Sequence, residues 1–152
     1  MNLKLIVLGG LAFYAMTWVV SMVNGPLIHE GVLASAYAAT ASFWRPELMQ
    51  VPPDMASLLP RWIATGLVLS FVVAAIYGIV RPVIGGQGWK RGAKYGLGVG
   101  VLANACIAGM SGVFNLPDVI WFWWIVDGMV MYVLGGAVLG WVGDRWCAAP
   151  SG

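Results

Sequence analysis

Asp127 is the one charged side chain in an apolar run from Val119 to Gly143. An acid inside such a run costs ~2.5–3.5 kcal/mol on insertion scales and usually faces a neighbouring helix or a water path. It lies ~12 Å in from Val119 at 1.5 Å per residue. Two chemistries suit it. It can relay a proton or ion, or it can hydrogen-bond across a helix interface at ~0.6–2 kcal/mol per bond. Tyr14, Thr17, Ser70 and Asn104 fall near the middle of the other apolar runs. They suggest a polar layer, with Asn104 as the expected partner of Asp127. A relay normally offers more than one titratable group, so the structural reading is preferred.

His29 is the only histidine and is followed by Glu30. A lone His cannot supply a bis-His haem or a three-ligand catalytic zinc site. A hydrogen-bonded structural residue is expected instead. Arg45 and Glu47 flank Pro46 and suggest an ion pair that fixes a turn. Cys106 falls in an apolar run and Cys147 beyond the last one, so a disulfide between them is not expected. Gly96-x-Gly98-x-Gly100 follows no strand and is no nucleotide loop. No nucleophile–base pair, metal cluster or CxxC is present. The expectation is therefore no enzyme, no cofactor and no metal. A net charge of +2 gives no nucleic-acid footprint.

What must position these residues follows from composition. Of 152 residues, 61% are hydrophobic and 9% charged, with a mean hydropathy of +0.85. A soluble domain of this length buries only ~70% of its unfolded surface and cannot hide so much apolar side chain. Continuous rather than alternating runs exclude a β-barrel. The expected fold is all-α, a single polytopic membrane domain of four transmembrane helices at 5–23, 61–80, 95–114 and 119–143. An outer segment covers 24–60, an inner loop 81–94 and a tail 144–152. The first run ends in Asn24-Gly25-Pro26 rather than a small-residue cleavage site, so a retained anchor is expected. Within 24–60 an Ala-rich stretch, His29 to Trp44, predicts an additional interfacial helix between Pro26 and Pro46. Leu33, Tyr37, Thr40 and Trp44 would form its membrane-facing side. Gly96, Gly100, Asn104, Ala108 and Gly112 recur at intervals of four. With Gly128, Gly135, Gly136 and Gly140 they predict a close helix–helix seam.

Lys4, Arg81, Lys90, Arg91, Lys94 and Arg145 fall on the side of the termini, against Arg45 and Arg61 on the other. That asymmetry predicts cytoplasmic termini, and tryptophans near both helix ends read as interfacial belts.

His29-Glu30-Gly31, Tyr37 and Trp44-Arg45-Pro46-Glu47 occur in this order. Arg91-Gly92-Ala93-Lys94-Tyr95-Gly96-Leu97, a Pro turn, an aromatic helix start and Gly135-Gly136 follow. In this order the chain resembles an uncharacterised family of small bacterial four-helix membrane proteins, from Val23 to about Val142. The resemblance implies the four-helix topology and weight on His29 to Glu47; the expected location is a bacterial cytoplasmic (inner) membrane. It carries no activity. The expected function is a non-catalytic accessory or structural subunit whose partners are membrane lipids, other membrane subunits or itself. The alternative is a small oligomeric transporter or channel using Asp127. An enzyme using His29 with Glu30 is the weakest reading.

Overall fold

The computed structural model describes residues 2–147, and these are helical, without strands. Four helices are long and apolar enough to cross a membrane. Helix α1 (Leu3–Asn24) runs without a break into a π-helical segment (Gly25–Val32), so the first rod reaches Val32 rather than ending at residue 23. A short α2 (Ala34–Ala39) and two 3-10 turns (Ala41–Phe43, Pro46–Met49) fold back from it. Helices α3 (Met55–Val80), α4 (Gly88–Met110) and α5 (Asp118–Trp146) complete the chain. The C-terminal tail beyond residue 147 lies outside the described residues.

The starts are set by local chemistry. Asn2 accepts from Leu5 N–H and Asp54 from Ser57 N–H, each supplying an acceptor to the unpaired N–H groups of the first turn. Helix α4 has no capping side chain of its own. Asp144 of α5 serves in its place and accepts from Gly88 N–H at 2.5 Å. Asp118 opens α5, where a negative charge meets the positive end of the helix dipole.

The helices pack in the order α3–α1–α5–α4. The Tyr95 hydroxyl donates to Val73 O at 2.7 Å and ties α4 to α3. One core lies at the end carrying the termini, around Leu5, Phe13, Val73, Tyr77, Tyr95 and Leu139. A second lies at the far end, where Ile28, Leu33 and Ile120 gather under Tyr37, Trp44 and Trp124. Elsewhere α3 and α4 present Val68, Leu69, Val72, Ile79, Val101 and Leu102 outward. Patches of that extent are foreign to a soluble monomer.

The predicted interfacial helix is not one helix. The π-turn, α2 and the first 3-10 turn divide 29–44 between them. Leu33, expected toward the membrane, is fully buried against the second core, and Thr40 is nearly so. Leu33, Tyr37 and Trp44 pack with Ile120 and Trp124 of α5, while Val32 and Phe43 stay exposed.

Candidate functional site

Pro26 has no N–H to continue the ladder of α1, and the chain widens into i→i+5 turns at that point. Leu33 N–H donates to Ile28 O at 2.8 Å, five residues back. The widening has a side-chain consequence. Asn24 and His29 would point about 140° apart on an α-helix. Across the wider turn both reach Asp127 of α5.

Asn24 Nδ2 donates to Asp127 Oδ1 at 2.6 Å. His29 Nε2 lies 3.4 Å from Asp127 Oδ2. The other ring nitrogen, Nδ1, is 2.8 Å from the Tyr37 hydroxyl, and the two rings stack within 3° of parallel. Trp124 Nε1 donates to that same hydroxyl at 2.8 Å. Trp44 Nε1 donates to Thr40 Oγ1 and to Tyr37 O, and Thr40 Oγ1 donates to Ala36 O.

The donor inventory orients the chain of bonds. An indole can only donate. With a neutral imidazole, the Tyr37 hydroxyl accepts from Trp124 and gives its own proton to His29 Nδ1. Nε2 then carries the imidazole hydrogen and donates to Asp127. From Trp124 through Tyr37 to His29, each bond then points toward the carboxylate. Asp127 is thus an acceptor on both oxygens, and its side chain is 9% exposed against 35% for His29. Burial pushes the Tyr37 hydroxyl above its ordinary value. The Trp124 bond pulls the other way and the Asp127 charge adds a further rise.

The expected Asp127–Asn104 contact does not form. Asn104 Nδ2 donates to Gly100 O of its own helix, and its Oδ1 stands against Gly128 without a hydrogen-bond donor. Tyr14 stays out of the expected polar layer too, its buried hydroxyl without a partner, and Ser70 and Thr17 leave it for the same reason as Asn104. Ser70 donates to Gly66 O and Thr17 to Tyr14 O. A hydroxyl within reach of the carbonyl one turn back needs no partner on another helix. Glu30 is exposed and stays out of the cluster. Arg45 Nη2 donates to Glu47 Oε1 at 2.8 Å, away from Asp127.

The glycine seam forms between α4 and α5, shifted from the expected register. Gly92 and Gly96 face Gly136 and Gly140 at backbone contact, while Gly100 meets Met129 and Tyr132. Gly135 points instead at Phe13 of α1. Gly112 meets only Gly109 O of its own turn. Cys106 is exposed on α4 and Cys147 is buried.

Asn24, Tyr37 and Trp124 are thus site residues that sequence reading places elsewhere or passes over. The one local sign is the five-residue spacing of Asn24 and His29 around Pro26. His29 and Asp127 are of metal-ligating type, but no third His, Cys, Asp or Glu joins them among the described residues. Comparisons with family models, curated proteins and solved structures return no match. The resemblance to small bacterial four-helix membrane proteins rests on its short motifs alone.

Proposed function

We propose that the chain is a non-catalytic multi-pass membrane protein serving as an accessory or structural subunit of a larger membrane assembly, or of a homo-oligomer. The observation that carries this reading is the state of Asp127. Both of its oxygens are engaged by side chains from the end of the first rod, and the donor chain behind His29 leads back to Trp124 of the same helix. A transport carboxylate has to face a path, whereas this one fastens the Asn24–Tyr37 segment to α5. The broad apolar faces of α3 and α4 supply surface for lipid or for neighbouring subunits. Six basic residues at the end of the termini favour cytoplasmic termini in a bacterial inner membrane.

A second reading has one observation in its favour. His29 touches Asp127 and is itself partly exposed, which gives the carboxylate a route to the surface. Vesicles loaded with a pH-sensitive dye separate the two. The accessory reading expects no proton flux from wild type or from Asp127→Asn. Flux in the wild type that disappears in a folded Asp127→Asn variant would overturn it in favour of a small transporter. Reporter fusions test the orientation: Gly88 should read cytoplasmic and Gln50 external.

A further inference from the structure

All four long rods bring a cation to the end of the bundle that carries the termini. These are Lys4 on α1, Arg81 just past α3, Lys90, Arg91 and Lys94 on α4, and Arg145 on α5. Asp144 is the one acid among the described residues there, and both its oxygens are occupied. Oδ2 accepts from Gly88 N–H and Oδ1 lies 3.4 Å from Arg91 Nη1. Arg91 and Lys94 are occupied as well. Arg91 Nε donates to Gly86 O at 2.9 Å and Lys94 Nζ to Gly85 O at 3.2 Å, bracing the connection between α3 and α4. Lys4, Arg81, Lys90 and Arg145 make no ion pair among the described residues.

The surroundings of these four are aromatic and apolar. Trp89, Trp141 and Trp146 are about half exposed, and Leu3, Ile79 and Val83 stand further out. Lys90 Nζ sits 5.7 Å over the Trp89 ring, and Trp141 meets Trp146 edge-on at 5.2 Å. The Arg81 guanidinium lies beside Gly143 of α5.

We propose that Lys4, Arg81, Lys90 and Arg145 form a collar that binds the phosphate groups of anionic phospholipids. Trp89, Trp141 and Trp146 sit at headgroup level around it. Unpaired cations call for an anion. Their flanks identify its source. Free phosphate would leave Leu3, Ile79 and Val83 bare, whereas a phospholipid covers them with its acyl chains. The opposite end lacks the preference, because Glu30, Glu47, Asp54 and Asp118 outnumber Arg45 and Arg61 there. The collar rests on the membrane-spanning reading proposed above.

The test reconstitutes the full chain into vesicles of mixed phosphatidylcholine and phosphatidylglycerol. The protein is then re-extracted gently, and the lipids it carries are counted by mass spectrometry. Phosphatidylglycerol should be enriched over the vesicle composition. Arg81→Gln, Lys90→Gln and Arg145→Gln should each lower that enrichment roughly fivefold. Arg81→Lys should keep it, and Glu47→Gln at the far end should leave it unchanged. The three Gln variants remove no hydrogen bond or ion pair found among the described residues, and Lys90→Gln gives up only the exposed contact with the neighbouring Trp89 ring, so their melting temperatures should stay close to the wild type. Lipid carried in proportion to the vesicle, or enrichment that survives all three substitutions together, would overturn the collar. So would displacement of phosphatidylglycerol by inorganic phosphate at an ionic strength where chloride has no effect, since the site would then take free anions. Failure to float with either lipid would break the membrane reading itself.

Discussion

Helix α5 meets α4 and the first rod by opposite means. Against α4 it is stripped to backbone: Gly136 and Gly140 face Gly92 and Gly96 with no side chain between them. Against the first rod it presents Asp127, which accepts from Asn24 and His29. The first seam gains van der Waals contact from closeness, which small residues at a helix interface permit. The second gains register, because a few directional bonds fix one azimuth and one depth. A seam without side chains is intolerant of any added atom. A seam of hydrogen bonds is intolerant of a missing acceptor. Substitutions that add bulk and substitutions that remove polarity should therefore separate the two.

The largest effect is expected at Gly92. A Cβ there would run into Gly136 O and the backbone of Gly140, neither of which can swing aside as a side chain does. Gly92→Leu should cost ~3 kcal/mol or more, the upper range for overpacking. It should lower the melting temperature of the detergent-solubilised protein sharply. Gly98 is the control on the same helix. It has open space around it, and Gly98→Ala should be neutral or slightly stabilising. Equal losses at both sites would mean that the close approach of α4 to α5 is not what Gly92 protects, since helix propensity alone favours the replacement at either position.

Next comes Asp127. Leucine removes the acceptor for two donors at once and leaves Asn24 without its partner. A loss of ~1–3 kcal/mol is expected in thermal melts. Asp127→Asn keeps one carbonyl oxygen and should lose less. If Asp127→Leu also weakened the α4–α5 contact, the two seams would not be independent.

Tyr37→Phe should do less, ~1 kcal/mol, by removing the hydroxyl between Trp124 and His29. Its pH dependence carries more information. Burial raises the Tyr37 hydroxyl above 10.0. Below that pH the proton is held in the folded and unfolded chain alike, and the contribution is intact. Above it the unfolded chain releases the proton first, so stability falls. The advantage of the wild type over Tyr37→Phe should shrink as pH rises past 10.0. A gap that widens instead would contradict the burial of the hydroxyl.

The two seams were not equally legible in the sequence. The glycine repeat on α4 is a local pattern, and an interval of four is enough to read a face from it. Its register on α5 was not legible, because Gly135 and Gly136 are neighbours and only packing decides that one meets Phe13 and the other α4. The Asp127 cluster shows the opposite case. The acid in an apolar run stands out, but its partners lie 103 and 98 residues away. Their reach depends on a π-turn that no periodicity announces. Depth alone pointed to Asn104, and depth cannot say whether an amide will bond across the interface or back to its own Gly100.

The smallest effect is expected at Arg45 and Glu47, which belong to neither seam. Their 2.8 Å bond joins side chains 53% and 26% exposed. Water screens such a pair, and ordering two flexible side chains offsets much of the attraction. The Arg45 hydrogen bond still holds the Glu47 carboxyl below its ordinary 4.5. Whatever the pair contributes is present above that pH and fades as pH falls below it, because the unfolded chain takes up the proton first. Arg45→Ala should leave the melting temperature at neutral pH within experimental error and raise the Glu47 titration midpoint toward its ordinary value. The turn would still be held by the bond from Asp54 N–H to Glu47 O at 2.9 Å, which the substitution leaves alone. A loss comparable with that of Asp127→Leu would mean that the Pro46 turn, and not the His29–Asp127 cluster, anchors the Asn24–Asp54 segment to the bundle.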